Sequence, residues 1–158
     1  MAITLAAQTG AAPLYPHQVK TACKHAETTI IESKRGSVSP VVMASIIYME
    51  SRWTPKAESR KGACGLAQVI GKYVKRTCKQ LKEPKEGIRQ GVKAFVWWRE
   101  WVNKRRRRKS LREALSCYSS GFWCLKSPRG RQYADRVLRL VKEYTFLVRR
   151  ILAKKKDK

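Results

Sequence analysis

The most constraining feature of this sequence is an apolar run that ends on a glutamate and then changes abruptly to a loop. Ser39 and Pro40 precede the run, a pair typical of a helix start, because the hydroxyl can accept a hydrogen bond from a free backbone donor and proline lacks only an N–H that has no partner there. The run predicts a helix that ends near Glu50, about three turns later. The residues beyond it predict a loop whose backbone can approach another surface closely. They include Pro55, Ala57, Ser59, Gly62, Ala63, Gly65 and Ala67.

Glu50 is the candidate catalytic residue. The apolar helix places its carboxylate at the edge of a hydrophobic wall, and the carbonyl end of a helix carries partial negative charge. Both effects should raise the pKa of Glu50 towards neutrality, as a general acid requires. The simpler interpretation is that Glu50 caps the helix and forms an ion pair with Arg52 or Arg60, which is a common role for a glutamate at a helix end.

The loop residues follow an ordered pattern that continues from the helix. The pattern comprises Glu50, Ser51, Trp53, Pro55, Ala57, Ser59, Gly62, Ala63, Gly65, Leu66, Gln68 and Val69. It resembles the signature of the soluble lytic transglycosylases, lysozyme-like enzymes that cleave peptidoglycan. Tyr118 and Gly121 resemble a second family motif, Ala-x-x-Tyr-Asn-x-Gly, with Ser119 in place of asparagine. Ile70 and Gly71 stand where the family often has methionine and proline, so we expect a reshaped wall of the cleft there.

The resemblance implies a peptidoglycan lytic transglycosylase with a single catalytic carboxylate. Glu50 would protonate the glycosidic oxygen between N-acetylmuramic acid and N-acetylglucosamine, then accept the proton of the muramoyl C6 hydroxyl, which gives a 1,6-anhydro product. Ser59, Gln68 and Tyr118 would line the cleft and bind the substrate or Glu50. Their alternative roles are loop stabilisation for Ser59 and Gln68, and core packing for Tyr118. Most glycosidases need two carboxylates, and suitable second candidates are scarce in this chain, which agrees with a single-carboxylate mechanism.

Charge leaves other functions open. The chain carries 36 Lys and Arg against 11 Asp and Glu, a formal net charge of +25, which predicts affinity for polyanions. The densest basic run, residues 104–109, is either a polyanion-binding patch or a solvated loop between helices. Beside peptidoglycan itself, anionic envelope polymers are therefore expected partners. A hydrolytic muramidase and a non-catalytic basic module that binds nucleic acid or lipopolysaccharide remain the alternative functions.

The rest of the sequence predicts a mainly α, lysozyme-like domain. Apolar residues recur at helical spacing over residues 17–33 and 86–103 and from Pro128 onwards, and no stretch alternates with period two. Tyr133 and Val137, in the last of these helices, resemble the closing element of the family. Only residues 64–68 allow for a small β-hairpin or loop. The predicted organisation is an N-terminal arm (1–16), one catalytic domain (17–153) and a basic tail (154–158), acting as a monomer.

The second of these helices carries a cluster of tryptophans: Trp97, Trp98 and Trp101. They could form a platform on which a sugar stacks. Because aromatic residues at helical spacing usually pack inward, we expect two of the three to be core anchors.

Five cysteines are an odd number, so they cannot all form disulfides, and a complete disulfide framework is excluded. They include no Cys-x-x-Cys motif, so a zinc site is not expected. We expect most of them to be small buried residues of a protein made in a reducing compartment. No metal or other cofactor is expected. The chain shows no signal peptide and no apolar stretch long enough to cross a bilayer. These features suggest a phage-encoded lysin or endolysin, made in the cytoplasm, that reaches the wall after release or in a virion.

Overall fold

The computed structural model describes residues 14–107 and 109–156, and helices predominate in this part of the chain. The one sheet in it is an antiparallel hairpin, β1 (Ala63–Cys64) and β2 (Val69–Ile70). The prediction of a mainly α domain with a very small hairpin near residues 64–68 is therefore confirmed. The helices are α1 (Pro16–Lys24), α2 (Ala26–Arg35), α3 (Pro40–Ser51), α4 (Gly71–Val74), α5 (Cys78–Lys82), α6 (Pro84–Arg106), α7 (Leu111–Ser120) and α8 (Pro128–Lys156), with a 3₁₀ turn at Gly121–Trp123.

Helix α3 lies at the centre of the core. Met43, Ile46 and Ile47 have no exposed surface, because α3 packs against α2 on one side and α8 on another. A helix that is apolar on most of its faces is stable only when neighbours cover it in this way. Pro40 occupies the first turn as predicted, but the Ser39 hydroxyl makes no capping hydrogen bond, so that detail of the prediction is wrong.

The predicted helix over residues 17–33 is in fact two helices, α1 and α2, that meet at His25. The helical spacing predicts that Ile30 and Ile31 are buried. This is wrong, because both are exposed while Glu32 is buried. The reason is an ion-pair contact across to α6, where the Arg89 guanidinium lies 3.6 Å from the Glu32 carboxylate. Helix α2 therefore turns a charged residue, rather than its isoleucines, towards the core.

The prediction of reduced cysteines is wrong for four of the five, whereas Cys64, Cys117 and Cys124 are buried as expected. Cys64 is bonded to Cys78, and Cys117 is bonded to Cys124. Cys23 is free and exposed. Pairing was invisible in the sequence because the partners are 14 and 7 residues apart, spacings that signal no motif. The first disulfide joins β1 to α5, and the second joins α7 to the segment that follows the 3₁₀ turn.

The tryptophans of α6 follow their prediction. Trp98 and Trp101 pack against a second, smaller core formed by Val102 and the Cys117–Cys124 disulfide, whereas Trp97 is half exposed. Two of the three are core anchors, as expected.

The ends of the chain are only partly described. Residues 1–13 of the predicted arm and 157–158 of the predicted tail lie outside the described residues, as does Arg108 in the basic run. Helix α1 begins at Pro16, and α8 continues through Lys156. Within the described ranges, each helix is too short or too polar to cross a membrane.

The disulfides generate a prediction for stability. Replacing Cys64 and Cys78 together by alanine should lower the free energy of unfolding by about 3 kcal/mol, since a cross-link over a loop of this length restricts the unfolded chain by that amount. Urea unfolding under non-reducing conditions measures the change. Cys23→Ala is the matched control, because an exposed free thiol cross-links nothing, and it should leave the unfolding midpoint unchanged. A double variant as stable as the control would contradict the assigned pairing.

Candidate active site

The centre of the candidate site is a hydrogen bond between two helices. Glu50 lies on the last turn of α3, and Tyr133 lies on the second turn of α8. The Tyr133 hydroxyl donates to Glu50 Oε1 at 2.6 Å. Glu50 is half-buried as a residue, and burial is the dominant influence on its carboxyl group. The contact therefore forms where α3 packs on α8, at the border between core and surface.

The surroundings of Glu50 favour its protonated form. Burial raises the pKa of Glu50 to about 7, and the hydrogen bond from Tyr133 opposes this rise by stabilising the carboxylate. The described residues, with Arg52 and Arg60 among them, form no salt bridge to Glu50. A carboxyl group without a cation in such a place is half protonated near neutral pH, and it can both give and take a proton there.

Two tyrosines flank Glu50. Burial raises the pKa of the Tyr133 phenol well above its usual range, and the negative charge of Glu50 raises it further. The pKa of the Tyr118 phenol rises for the same two reasons. Both phenols therefore stay protonated and act as hydrogen-bond donors. Tyr118 donates to the carbonyl oxygen of Ala67 at 2.7 Å rather than to Glu50.

The loop that follows α3 is held by side chains that bind backbone. Gln68 Nε2 donates to the carbonyl oxygens of Gly65, at 3.0 Å, and of Ala57, at 3.2 Å. Ser59 Oγ accepts a hydrogen bond from the backbone N–H of Ala63 at 3.0 Å. These contacts close the turn before β1 and fix the turn between β1 and β2, where Gln68 itself adopts a left-handed backbone conformation.

The floor of the loop is anchored to the helices beneath it. Ser51 Oγ, in the last residue of α3, donates to the carbonyl oxygen of Leu66 at 2.8 Å. Gly65 has a positive φ and passes so close to the backbone of Leu81 that a Cβ there would lie 2.0 Å from the Leu81 carbonyl oxygen. Only glycine fits both conditions. The consecutive carbonyls of residues 65–67 thus each accept a side-chain hydrogen bond, which gives this loop a single backbone path beside Glu50.

The departures from the family pattern have local explanations. Ser119, in place of asparagine, is exposed and donates to the Ser116 carbonyl oxygen of its own helix at 3.1 Å. Gly71 does not end a helix but begins α4, and a Cβ there would lie 2.1 Å from the Arg76 carbonyl oxygen. Ile70 is the last residue of β2. The segment that departs from the family pattern is therefore a tight turn built around Gly71.

The four predicted site residues occupy one region but in different ways. Glu50 and Tyr118 are close enough for the charge of Glu50 to raise the pKa of the phenol. Ser59 and Gln68 belong to the loop and hold its backbone. Tyr133, the direct partner of Glu50, was not singled out from the sequence as a site residue. The available signal was the resemblance of Tyr133 and Val137 to the closing element of the family.

One group of metal-ligand residues lies beside the loop. A carboxylate oxygen of Glu58 and the sulfur atoms of Cys64 and Cys78 lie within 4.8 Å of one another. Because the two sulfurs are bonded to each other, they offer no thiolate to a metal. This group is a disulfide next to an acidic side chain.

Comparison with known proteins agrees with the architecture. The chain is similar to the X-ray structure of an inactive mutant of the lytic transglycosylase Slt from Pseudomonas aeruginosa, with a TM-score of 0.65 and 19% sequence identity. The match covers 79% of this chain and 24% of the Slt chain, so this chain corresponds to about a quarter of that protein. No match was found among curated proteins.

A family model described as the transglycosylase SLT domain matches residues 27–137. The match takes in α3, the loop with its hairpin, the whole of α6 and α7, and the first turns of α8 with Tyr133. Since it covers more than two thirds of the sequence, this chain belongs to the transglycosylase SLT domain family.

Proposed function

We propose that this protein is a peptidoglycan lytic transglycosylase that cleaves the β-1,4 bond between N-acetylmuramic acid and N-acetylglucosamine. The observation that carries the proposal is the Glu50 carboxyl group, whose burial raises its pKa to about 7, in contact with Tyr133. Membership of the SLT family supports the same substrate. The Slt structure to which the fold is similar is a lytic transglycosylase made inactive by changing a glutamate to glutamine.

In the first step Glu50 acts as the acid. Its protonated carboxyl group gives a proton to the glycosidic oxygen, and the bond from that oxygen to C1 of the muramoyl residue breaks. The acetamido group of the substrate helps to stabilise the positive charge that develops at C1. At neutral pH about half of the Glu50 carboxyls carry the required proton, because the pKa lies close to the ambient pH.

In the second step the ionised Glu50 acts as the base. It accepts the proton of the muramoyl C6 hydroxyl while the C6 oxygen bonds to C1, which closes the 1,6-anhydro ring and restores the protonated carboxyl group. No water is consumed. The hydrogen bond from Tyr133 stabilises the carboxylate between the two steps and lowers its tendency to recapture a proton from solvent.

Three other acidic side chains are held by cations or hydrogen-bond donors, which agrees with a mechanism with one carboxylate. Glu58 forms a salt bridge with Lys82 at 2.6 Å. Asp135 binds Arg112 through both carboxylate oxygens, and this contact lowers the pKa of Asp135. Glu86 is similarly engaged, with Arg76, Arg89 and Gln90. Each of these carboxylates is neutralised by cations or hydrogen-bond donors, so none of the three is poised as a second nucleophile or base.

The predicted substrate-binding residues have atoms to spare for a sugar. Both hydrogen bonds that Gln68 donates use Nε2, so we assign its Oε1 to an acetamido N–H. Ser59 accepts a hydrogen bond through Oγ, so its own hydroxyl hydrogen is assigned to a substrate oxygen. Tyr118 positions the Ala67 carbonyl and thereby the loop. Monomeric action, and delivery by phage release or in a virion, stay predictions from the sequence.

The central prediction concerns Glu50→Gln. The amide cannot transfer a proton, so wall clearing should fall by at least about a hundredfold, the scale of a lost general acid. The assay is turbidity loss of purified sacculi, with mass spectrometry of the released muropeptides. The wild type should yield 1,6-anhydro termini. Reducing termini from the wild type would show hydrolysis by a muramidase instead. Equal binding to sacculi by the wild type and Glu50→Gln, with no muropeptides released by either, would reject both enzymes in favour of a basic binding module.

A second prediction concerns the hydrogen bond to Glu50. Tyr133→Phe removes a donor that stabilises the carboxylate, so the pKa of Glu50 should rise above its value of about 7 in the wild type. Carbon-13 NMR of the labelled glutamate carboxyl group measures it. Tyr144→Phe is the matched control, because this phenol lies on the same helix and burial raises its pKa without any contribution from Glu50, and it should leave the pKa of Glu50 unchanged. Titration of wild-type Glu50 near 4.5 would contradict the enclosed geometry.

The raised pKa also links stability to pH. Below about pH 4.5 Glu50 is protonated in both the folded and unfolded states, so it adds no pH dependence there. As pH rises to about 7, the unfolded chain releases this proton while the folded chain retains it, and stability falls. The loss is about 3 kcal/mol once the folded group ionises. Urea unfolding across this range should show the fall as a difference between the wild type and Glu50→Gln, in which the slope from this residue is absent; parallel curves would show that the pKa is not shifted by folding.

A further inference from the structure

A cluster of aromatic rings lies on the surface beside the most basic part of the chain. It joins α6 to the 3₁₀ turn after α7, and two of its members are among the most exposed large apolar residues described: Phe122 at 67% and Trp123 at 77%. Trp97 is 50% exposed. We call Trp97, Trp98, Trp101, Phe122 and Trp123 the aromatic patch. Exposed apolar surface of this extent, gathered in one place, marks an interaction site.

The patch is built rather than accidental. The Cys117–Cys124 disulfide closes the loop that carries Phe122 and Trp123. Ser116 Oγ binds the carbonyl oxygen of Cys124 at 2.9 Å within the same closed loop. The partly buried rings of Trp98 and Trp101 provide the base on which Phe122 packs, with ring centroids 5.1 and 5.7 Å from it. The exposed rings are therefore held out from the surface on a rigid support.

Exposed basic side chains lie beside the patch at the end of α6 and after the 3₁₀ turn. The Arg105 guanidinium lies 5.4 Å from the centroid of the Trp101 ring. Lys104, Arg105 and Arg107 are exposed at the end of α6, and Lys126 is exposed three residues after Trp123. Arg106 contacts Glu113 at 3.3 Å, and the last three turns of α6 contain one acidic residue, Glu100. The partner of this surface should therefore be anionic as well as able to receive apolar rings.

The ring geometry distinguishes between kinds of anionic partner. The contacting rings meet edge to face, at interplanar angles of 68° to 85°. Sugars and nucleic-acid bases stack on an open ring face, and successive bases need a series of such faces. The cluster formed by Trp97, Trp98, Trp101 and Phe122 therefore has no series of parallel ring faces. It suits the headgroup region of a bilayer, where Trp and Phe insert among the lipids and Lys and Arg bind their phosphates.

We propose that the aromatic patch, with Lys104, Arg105 and Lys126, is a docking surface for an anionic lipid bilayer. Phe122 and Trp123 enter the boundary between headgroups and acyl chains, and the basic side chains bind lipid phosphates. The contact is peripheral, because the described helices do not cross a membrane. It would hold the enzyme against a membrane face and thus next to the peptidoglycan, and it does not depend on the chemistry assigned to Glu50.

The first test uses vesicles of phosphatidylcholine, with or without phosphatidylglycerol. The wild type should co-sediment with the anionic vesicles, with a blue shift of tryptophan fluorescence, and less with the neutral ones. The Phe122→Ser/Trp123→Ser variant should lower the partition coefficient by at least about tenfold, because two inserted rings are removed. Trp123→Ser alone keeps the test valid if the double variant fails to fold, since this ring is the more exposed. Tyr73→Ser is the matched control: it removes an equally exposed ring, on α4, and should change nothing.

The second test separates local charge from the net charge of the chain. Lys104→Gln/Arg105→Gln/Lys126→Gln should weaken binding to the anionic vesicles by about fivefold for each charge removed. Lys20→Gln/Lys34→Gln/Lys79→Gln removes the same charge from other exposed sites and should have a smaller effect. Equal loss from both triple variants would show only general attraction of a polycation and would overturn the proposal.

The remaining outcomes are equally decisive. Equal binding to neutral and anionic vesicles, or unchanged binding by Phe122→Ser/Trp123→Ser, would overturn the docking surface. So would a loss of clearing of lipid-free sacculi by that variant with vesicle binding intact, since the patch would then bind glycan. Glu50→Gln should bind vesicles as the wild type does, which keeps a failure of this proposal distinct from a failure of the proposed enzyme.

Discussion

The contact between Glu50 and Tyr133 imposes the main physical demand on this molecule. When a carboxyl group is buried without a cation beside it, its ionised form is destabilised by the loss of hydration, so the group tends to keep its proton. Here burial raises the pKa, and the phenol, 2.6 Å away, partly restores stability to the ionised form. The balance leaves both protonation states accessible near neutral pH. A guanidinium in place of the phenol would have fixed the ionised state and removed the acid.

Burial of Glu50 explains how a neutral acid persists in so basic a protein. With a formal net charge of +25, the mean field of the chain favours ionised carboxylates. The ion pair with Arg112 lowers the pKa of Asp135 and so holds that carboxylate ionised at the surface. Glu50 escapes because the neighbours of its helix are apolar and the basic side chains lie in solvent, where counterions screen them within about 8 to 10 Å. Counterions do not screen desolvation, so its effect on the pKa of Glu50 outweighs the effect of the distant positive charges.

The sequence predicted the parts of the fold that depend on local chemistry. Helical spacing located α3, α6 and α8, with proline marking the start of α3 and α8, and the clustering of small residues located the loop that holds the hairpin. Prediction from sequence failed where contacts between residues far apart in the chain determine the structure. Helix α2 buries Glu32 rather than Ile30 because Arg89 lies opposite, and no periodicity can show this. Tyr133 is 83 residues from Glu50, and the disulfide partners meet only in the folded chain.

The loop beside Glu50 suggests why its sequence pattern is so recognisable at low overall identity. Its hairpin has two residue pairs, too few to hold a backbone path unaided, so side chains satisfy the carbonyls instead: Gln68 binds Gly65, Ser51 binds Leu66 and Tyr118 binds Ala67. Each such residue is required whether or not it touches a substrate, because an unsatisfied buried carbonyl costs about 1 to 3 kcal/mol. Much of the signature therefore determines the backbone path of the loop beside Glu50. The chemistry itself requires far fewer residues, and in this chain they are a carboxyl group and the phenol that holds it.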